Sequence, residues 1–412
     1  MKRLVFISVV LIVLLFLCSC SNNLKYGVDV IEDDIPKGKD RKFENTVEFS
    51  YIEDYDGTDK IQTVGTVFNI AYIAPVNGQL YLLRNTPVCR FNPQTGNKTY
   101  ICPDSLCTHK TVDCPFYSSC TDFYFWGDSV FYCQSYQDKN YEWIRIIAEY
   151  NMNTGTKKVL RNREEGFYAP NMVFYGDGYY YTDIIRDKDT NKYKHSFCYQ
   201  NTVTKEITVL DTQEIWRYMP RVAFDDKLYM YDNVDMKLIY RDLKTREDHV
   251  VCDNASSVFK CDGYFICTKH DSATNRQEII RCNYDGSEQQ SLGVTDAKYV
   301  YVTNNYIYYT TENYVQTKVD ENGKPFYVNM GDICRMKHDG TGKETVFEPD
   351  IEEGKYCFWI DDYIVLGRYI YSQYHWLDVI DGETVVGKSF DSKSYVRYDT
   401  VTGERYYIDF TR

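Results

Sequence analysis

The chain has 412 residues, a formal net charge of −13, and 43% hydrophobic and 16% aromatic residues, 41 of them tyrosine. The acidity argues against a surface made for nucleic acid or anionic lipid, and the apolar content argues against a disordered chain. Length alone would predict two or three domains, but a repeat described below overrides that expectation.

The amino terminus reads as a targeting segment. Lys2 and Arg3 precede an apolar run over residues 4–17. Fourteen residues are too few to span a hydrocarbon core of about 30 Å, but they suit the apolar region of a signal peptide. The run ends in Leu17-Cys18-Ser19-Cys20, which matches a bacterial lipobox with Cys20 as the lipidated first residue of the mature chain. Cys18 fits less well, because bulky Leu17 would stand just before the cleavage point. The competing reading is an ordinary secretory signal with incidental cysteines. Residues 1–19 are therefore expected to be a lipoprotein signal peptide and residues 20–45, with Pro, Gly and mixed charge, a lipidated flexible tether. Loss of Lys2 and Arg3 would take the mature charge to −15.

Residues 46–412 repeat a pair of β-hairpins seven times. The first hairpin is two aromatic strands around a turn: Asn77-Gly78, Asp128-Ser129, Asp177-Gly178, Asp225-Asp226, Asp262-Gly263, Asn304-Asn305 and Asp361-Asp362. The second spans residues 89–102, 148–160, 198–210, 239–252, 280–292, 334–347 and 396–410, with Thr-Gly or Asp-Gly at several turns. Such residues supply the positive φ that tight hairpins require. Four strands recurring about every fifty residues predict an all-β, seven-bladed β-propeller, with six or eight blades as the alternative counts. A two-sheet sandwich is the other architecture, but seven equal units fit it poorly. Insertions at 103–120, 314–330 and 377–393 should project from a face, where specificity usually resides. A strand at 46–52 is expected to join the last blade and close the ring.

The octapeptides Ile280-Arg281-Cys282-Asn283-Tyr284-Asp285-Gly286-Ser287 and Cys334-Arg335-Met336-Lys337-His338-Asp339-Gly340-Thr341 resemble the TolB-like propeller repeat. From about residue 60 onward the chain is similar to propeller lipoproteins common in anaerobic Gram-positive bacteria. The resemblance implies fold more than activity, because no catalytic motif of propeller glycosidases or peptidases is matched.

Two constellations could carry chemistry. Cys102, Cys107, His109 and Cys114 are three thiols and one imidazole, the ligand types and number of a structural zinc site. Their spacing is uncommon for zinc, Cys120 lies near enough to compete, and an oxidising compartment favours a disulfide-stapled loop instead. The motif also resembles a Cys-Pro/Asp-rich element of the same lipoproteins. Of the 15 cysteines, 13 remain beyond Cys18 and Cys20, an odd number that cannot all pair. Cys133, Cys198 and Cys267 stand among strand aromatics and read as small buried hydrophobes.

The second constellation comes from aligning the first strands on Phe125, Phe174, Phe224, Phe259, Tyr301 and Phe358. Three positions earlier stand Asp122, Asn171, Arg221, Ser256, Lys298 and Lys355, with Ala71 in the first unit. Innermost strands begin near the axis, so these residues should ring one channel mouth. Arg221, Lys298 and Lys355 would offer a weak site for an anionic group, such as a carboxylated or phosphorylated envelope glycan. The plainer reading is that they pair with acids such as Asp122 or face solvent.

These features predict a membrane-anchored extracytoplasmic lipoprotein whose propeller is a non-enzymatic ligand-binding or protein-interaction module. Its expected partners are the membrane, through the lipid anchor, and an envelope glycan or envelope proteins, with no nucleic acid. The alternative is a carbohydrate-active hydrolase or lyase with an axial pocket. One acid and no histidine in the aligned ring lean toward binding.

Overall fold

The computed structural model describes residues 73–409 except 77–78, 83–88, 92–97, 103–113, 115, 117–118, 127, 138–142, 164–166, 187–189, 191, 272, 274–275, 304, 312, 320–324, 353–355, 367, 381–382 and 386–393. All regular structure among the described residues is β, and no helix there is long and apolar enough to cross a membrane. The signal, the tether and the strand expected at 46–52 lie outside the described residues.

The strands fall into consecutive units. Unit one holds β1 (Ile73–Val76), β2 (Gln79–Leu82), β3 (Cys89–Phe91) and β4 (Lys98–Tyr100). Unit two holds β5 (Ser119–Trp126), β6 (Ser129–Gln137), β7 (Trp143–Asn151) and β8 (Thr156–Arg163). Unit three holds β9 (Phe167–Tyr175), β10 (Gly178–Arg186), β11 (Tyr193–Asn201) and β12 (Ile207–Gln213). Unit four holds β13 (Tyr218–Phe224), β14 (Lys227–Asp232), β15 (Lys237–Asp242) and β16 (Asp248–Asp253). Unit five holds β17 (Ala255–Lys260), β18 (Tyr264–Asp271), β19 (Arg276–Asn283) and β20 (Gln290–Ser291). Each of these five is an antiparallel sheet in simple up-and-down order, the topology of a propeller blade.

The last two units carry the insertions. Unit six pairs β21 (Lys298–Val302), β22 (Tyr306–Thr310), β25 (Ile333–Lys337) and β26 (Glu344–Phe347), while β23 (Tyr314–Val319) and β24 (Pro325–Asn329) form a separate two-stranded sheet between β22 and β25. The expected insertion at 314–330 is thus a hairpin of its own. Unit seven runs β27 (Asp350–Glu352), β28 (Tyr356–Leu366), β29 (Tyr369–Ile380), β31 (Ser394–Asp399) and β32 (Arg405–Asp409), with β30 (Glu383–Val385) folded back on the far end of β29.

One turn was misplaced by the sequence reading. Asp361-Asp362 is not a hairpin turn: β28 continues through it, and the hairpin closes at the pair Leu366↔Tyr369. Two adjacent aspartates signal a turn when nothing else is known, and at Asp225-Asp226 they make one, with φ of 50° and 57°, the left-handed pair of a type I′ loop. At 361–362 the apolar flanks Ile360 and Tyr363 are both buried, so packing keeps the chain in the strand and the second aspartate is accommodated as a bulge.

The core lies between the sheets. Inner strands such as β6 are buried on both faces while outer strands such as β12 are largely exposed, as expected where sheets pack face to face: Tyr124 stacks on Phe174 at 4.3 Å between units two and three, and Phe265 meets Tyr229 edge-on at 5.0 Å between units five and four. Among the described residues the largest fully buried side chains are all tyrosines, nine of them, so packing rather than ligand stacking takes much of the tyrosine excess. Cys133, Cys198 and Cys267 are buried as expected. A single apolar cluster contains residues of units two, six and seven.

Candidate functional site

The first strands of neighbouring units approach one another, β5 beside β9, β9 beside β13 and β21 beside β28. They are therefore the innermost strands. Each first strand of units two to seven also breaks its ladder with a β-bulge at nearly the same height. In β5 the break holds Asp122 and Phe123, between Thr121↔Cys133 and Tyr124↔Phe131. In β9 it holds Pro170, Asn171 and Met172, between Ala169↔Thr182 and Val173↔Tyr180. In β13 it is Arg221, and in β17 it is Ser256. In β21 it is Tyr299 and Val300, directly after Lys298, and in β28 it is Asp362. A bulged residue leaves the ladder, bends the strand and re-aims side chains, which is why bulges collect at barrel rims and beside active sites.

The residues expected at the channel mouth thus meet the bulges. Asp122, Asn171, Arg221 and Ser256 lie in them, and Lys298 is the last paired residue before one. Lys355 lies outside the described residues, as does Ala71. The corrected turn of unit seven removes Lys355 from the alignment and puts Asp362 there. Phe358 likewise stands well before the bulge and is not the counterpart of Phe174.

Electrostatics at these positions are uneven. Arg221 is half-buried, and burial pushes its guanidinium pKa down, partly offset by nearby Tyr231. The Ser256 hydroxyl shares a 2.6 Å hydrogen bond with Thr268 Oγ1 and lies 3.3 Å from the Thr268 carbonyl, so it is held in place by its partner strand. The Lys298 ammonium lies 5.4 Å from the ring centroid of Tyr299, within cation–π range. Tyr299 itself has φ of 47°, a left-handed conformation that costs a bulky residue energy and that collects at functional sites. Sequence reasoning missed Tyr299, because positive φ at a non-glycine leaves no trace in residue type. It missed Asp362 through the misplaced turn.

The Cys/His cluster is only partly within view. Cys102 and Cys114 are both buried in the apolar cluster that holds Phe116, while Cys107, His109 and the lipidation candidate Cys20 lie outside the described residues. Among the described residues, no three His, Cys, Asp or Glu side chains are grouped so as to hold a metal ion.

No protein-family model matches the chain, and no curated protein matches it. Solved structures do. An oligogalacturonate lyase in complex with manganese is 11% identical, covering 84% of this chain and 96% of its own, with a TM-score of 0.49. An oligogalacturonate lyase from Vibrio parahaemolyticus is 10% identical over 90% of this chain and 97% of its own, with a TM-score of 0.45. The β-propeller domain of the trilobed protease from Pyrococcus furiosus is 11% identical over 70% and 91%, with a TM-score of 0.38.

Proposed function

We propose that the chain is an extracytoplasmic lipoprotein, anchored to the cell membrane through Cys20, whose seven-bladed propeller binds an anionic envelope glycan at its axial mouth. The recurrent bulge in the first strands carries this reading. Asp122, Asn171, Arg221, Ser256 and Asp362 fall in these breaks of the ladder and Lys298 stands beside one, each a few residues before its hairpin turn, which supports a shared site. A scaffold needs no such departure, whereas a binding site does. Arg221 and Lys298 supply the positive charge for a carboxylate or phosphate. The test is an array of neutral, carboxylated and phosphorylated glycans probed with the detergent-solubilised full chain. Selective retention of acidic glycans, weakened at least tenfold in Arg221→Ala with unchanged Tm, is expected. Equal retention of neutral glycans, or an unaffected variant, rules the reading out.

A carbohydrate-active hydrolase or lyase is the second reading, and one observation favours it. With Asp362 in place of Lys355, the bulges now carry two acids, Asp122 and Asp362, where the sequence alignment had one. Paired carboxylates are the usual apparatus of glycoside hydrolysis. Turnover of an array-selected glycan, followed by mass spectrometry and abolished in both Asp122→Asn and Asp362→Asn, would establish it.

A further inference from the structure

A second site lies away from the axis, in an open cleft of about 590 Å³ between units five and six. It is lined by Tyr264, Arg281, Asn305, Tyr306, Lys337, His338 and Asp339. Two of these residues differ in charge setting from unit six or from the other units: Arg281 keeps an arginine that unit six also has but lacks the acid opposite it, and Lys337 stands where other units have asparagine or aspartate.

The first is Arg281. Arg335 in unit six holds the equivalent place, paired with the third residue of its unit's second strand, and it faces Glu344 across the outer ladder. Arg335 Nε and Glu344 Oε1 form an ion pair at 2.5 Å. Arg281 faces Gln290 instead, and no ion pair joins it to an acid among the described residues. Its guanidinium lies 3.8 Å from the ring centroid of Tyr264. Stacking satisfies the flat face of a guanidinium and leaves its edge of N–H donors available for a planar carboxylate.

The second is Lys337. The residue paired with the start of the second strand is Asn151 in unit two, Asn201 in unit three, Asp242 in unit four, Asn283 in unit five and Asp399 in unit seven. In units two, three, four and seven its side-chain oxygen accepts the turn amides. Unit six has Lys337 there, and in this unit Asp339 takes over the turn by accepting from the Thr341 amide and hydroxyl. The turn therefore survives while the position it vacates becomes cationic and exposed.

The rim is fixed. His338 Nε2 is 2.8 Å from the Thr303 carbonyl and Nδ1 is 2.6 Å from the Tyr264 hydroxyl. A carbonyl only accepts, so Nε2 carries the proton and Nδ1 accepts from Tyr264. That contact ties the second strand of unit five to the second-hairpin turn of unit six.

We propose that this cleft binds a sugar acid, with the carboxylate held by Arg281 and Lys337 and the hydroxyls by the tyrosine, asparagine and aspartate side chains around it. The lining sets two tyrosine rings among charged and amide side chains, a mixture that suits a small polar ligand with an apolar face, such as a sugar ring. Asp339 decides between carboxylate and phosphate. Hydrogen bonds from Thr341, helped by nearby Lys337, hold its carboxyl below the usual carboxylate range, so it is ionised and repels a dianion while accepting sugar hydroxyls.

The test is calorimetric titration of the full chain with glucuronate, glucose and glucose phosphate. Glucuronate should bind, glucose should not, and the phosphate should bind at least tenfold more weakly than the uronate. Arg281→Gln should weaken glucuronate at least tenfold. Lys337→Asn, which restores the residue type of the other units and so preserves the fold, should weaken it several-fold with unchanged Tm. Absent glucuronate binding, equal binding of glucose, tighter binding of the phosphate, or indifference of both variants would each overturn the assignment.

Discussion

Asp232 offers a quantitative test of how the units are held. It ends β14 with its side chain buried, and each oxygen is engaged. Oδ2 accepts from Arg217, with nitrogens at 2.8 and 2.9 Å, and Oδ1 accepts from the amides of Val234 and Asp235 at 3.0 and 3.2 Å. Asp232→Ala removes all of these and leaves Arg217 with exposed Asp235 and the Tyr218 ring, 5.3 Å from its guanidinium. Breaking a fully buried pair costs about 3–5 kcal/mol, but Arg217 is one-third exposed and can rehydrate, so we expect about 2–3 kcal/mol. For a folded domain of this size that is a fall in Tm of about 3–4 °C by calorimetry. The pH dependence follows from the same contacts. Burial alone would raise the carboxyl pKa, but Arg217 and the two amides outweigh it and the net shift is downward. A depressed carboxyl contributes its stability above the unfolded pKa near 4 and loses it as pH falls through the lower folded value. The Tm difference between wild type and variant should therefore be constant from pH 5 to 7 and shrink below about pH 4. A variant as stable as wild type at pH 7, or a difference that grows on acidification, would refute the reasoning.

Four further outcomes are expected. Tyr179→Phe should destabilise by about 1–2 kcal/mol, because the buried Tyr179 hydroxyl donates to Gln200 Oε1 at 2.6 Å. Tyr229→Phe should be neutral or stabilising in the same denaturation assay, because its equally buried hydroxyl has no partner among the described residues; equal losses in the two variants would contradict this. Cys20→Ala should abolish incorporation of labelled fatty acid and release the protein from membranes, since no other anchor is proposed; retention in the membrane fraction counts against the anchor. Cys102 and Cys114 are thiols in the structure, and protein purified without reductant should contain no stoichiometric zinc, whereas one zinc per chain would identify Cys102, Cys107, His109 and Cys114 as a metal site.

The hairpin pair was legible because its signals are local. Asp225-Asp226, Asp262-Gly263 and the Thr-Gly turns are punctuation that residue type alone reveals, and the aromatic alternation between them marks the strands. Asp361-Asp362 shows the limit: the same two residues make a turn where the flanks permit it and a bulge where Ile360 and Tyr363 are pulled into the core. Packing across units, which no local window contains, decided between them. Counting back from an aromatic residue puts Asp122, Asn171, Arg221, Ser256 and Lys298 in or beside the bulges, while the misread turn at 361–362 shifts the count in unit seven. The cleft between units five and six was written in the sequence as Gln290 and Lys337, but their meaning needed the cross-strand register. Only when Gln290 is seen opposite Arg281, and Lys337 in the place of an asparagine or aspartate, do they read as missing negative charge.

A crystal structure of the chain grown with an array-selected acidic glycan tests the central proposal most directly. The account predicts seven sheets about one axis, with the glycan seated at the mouth among Asp122, Asn171, Arg221, Ser256, Lys298 and Asp362. A different number of sheets, or a glycan bound away from the axis with that mouth empty, would contradict it.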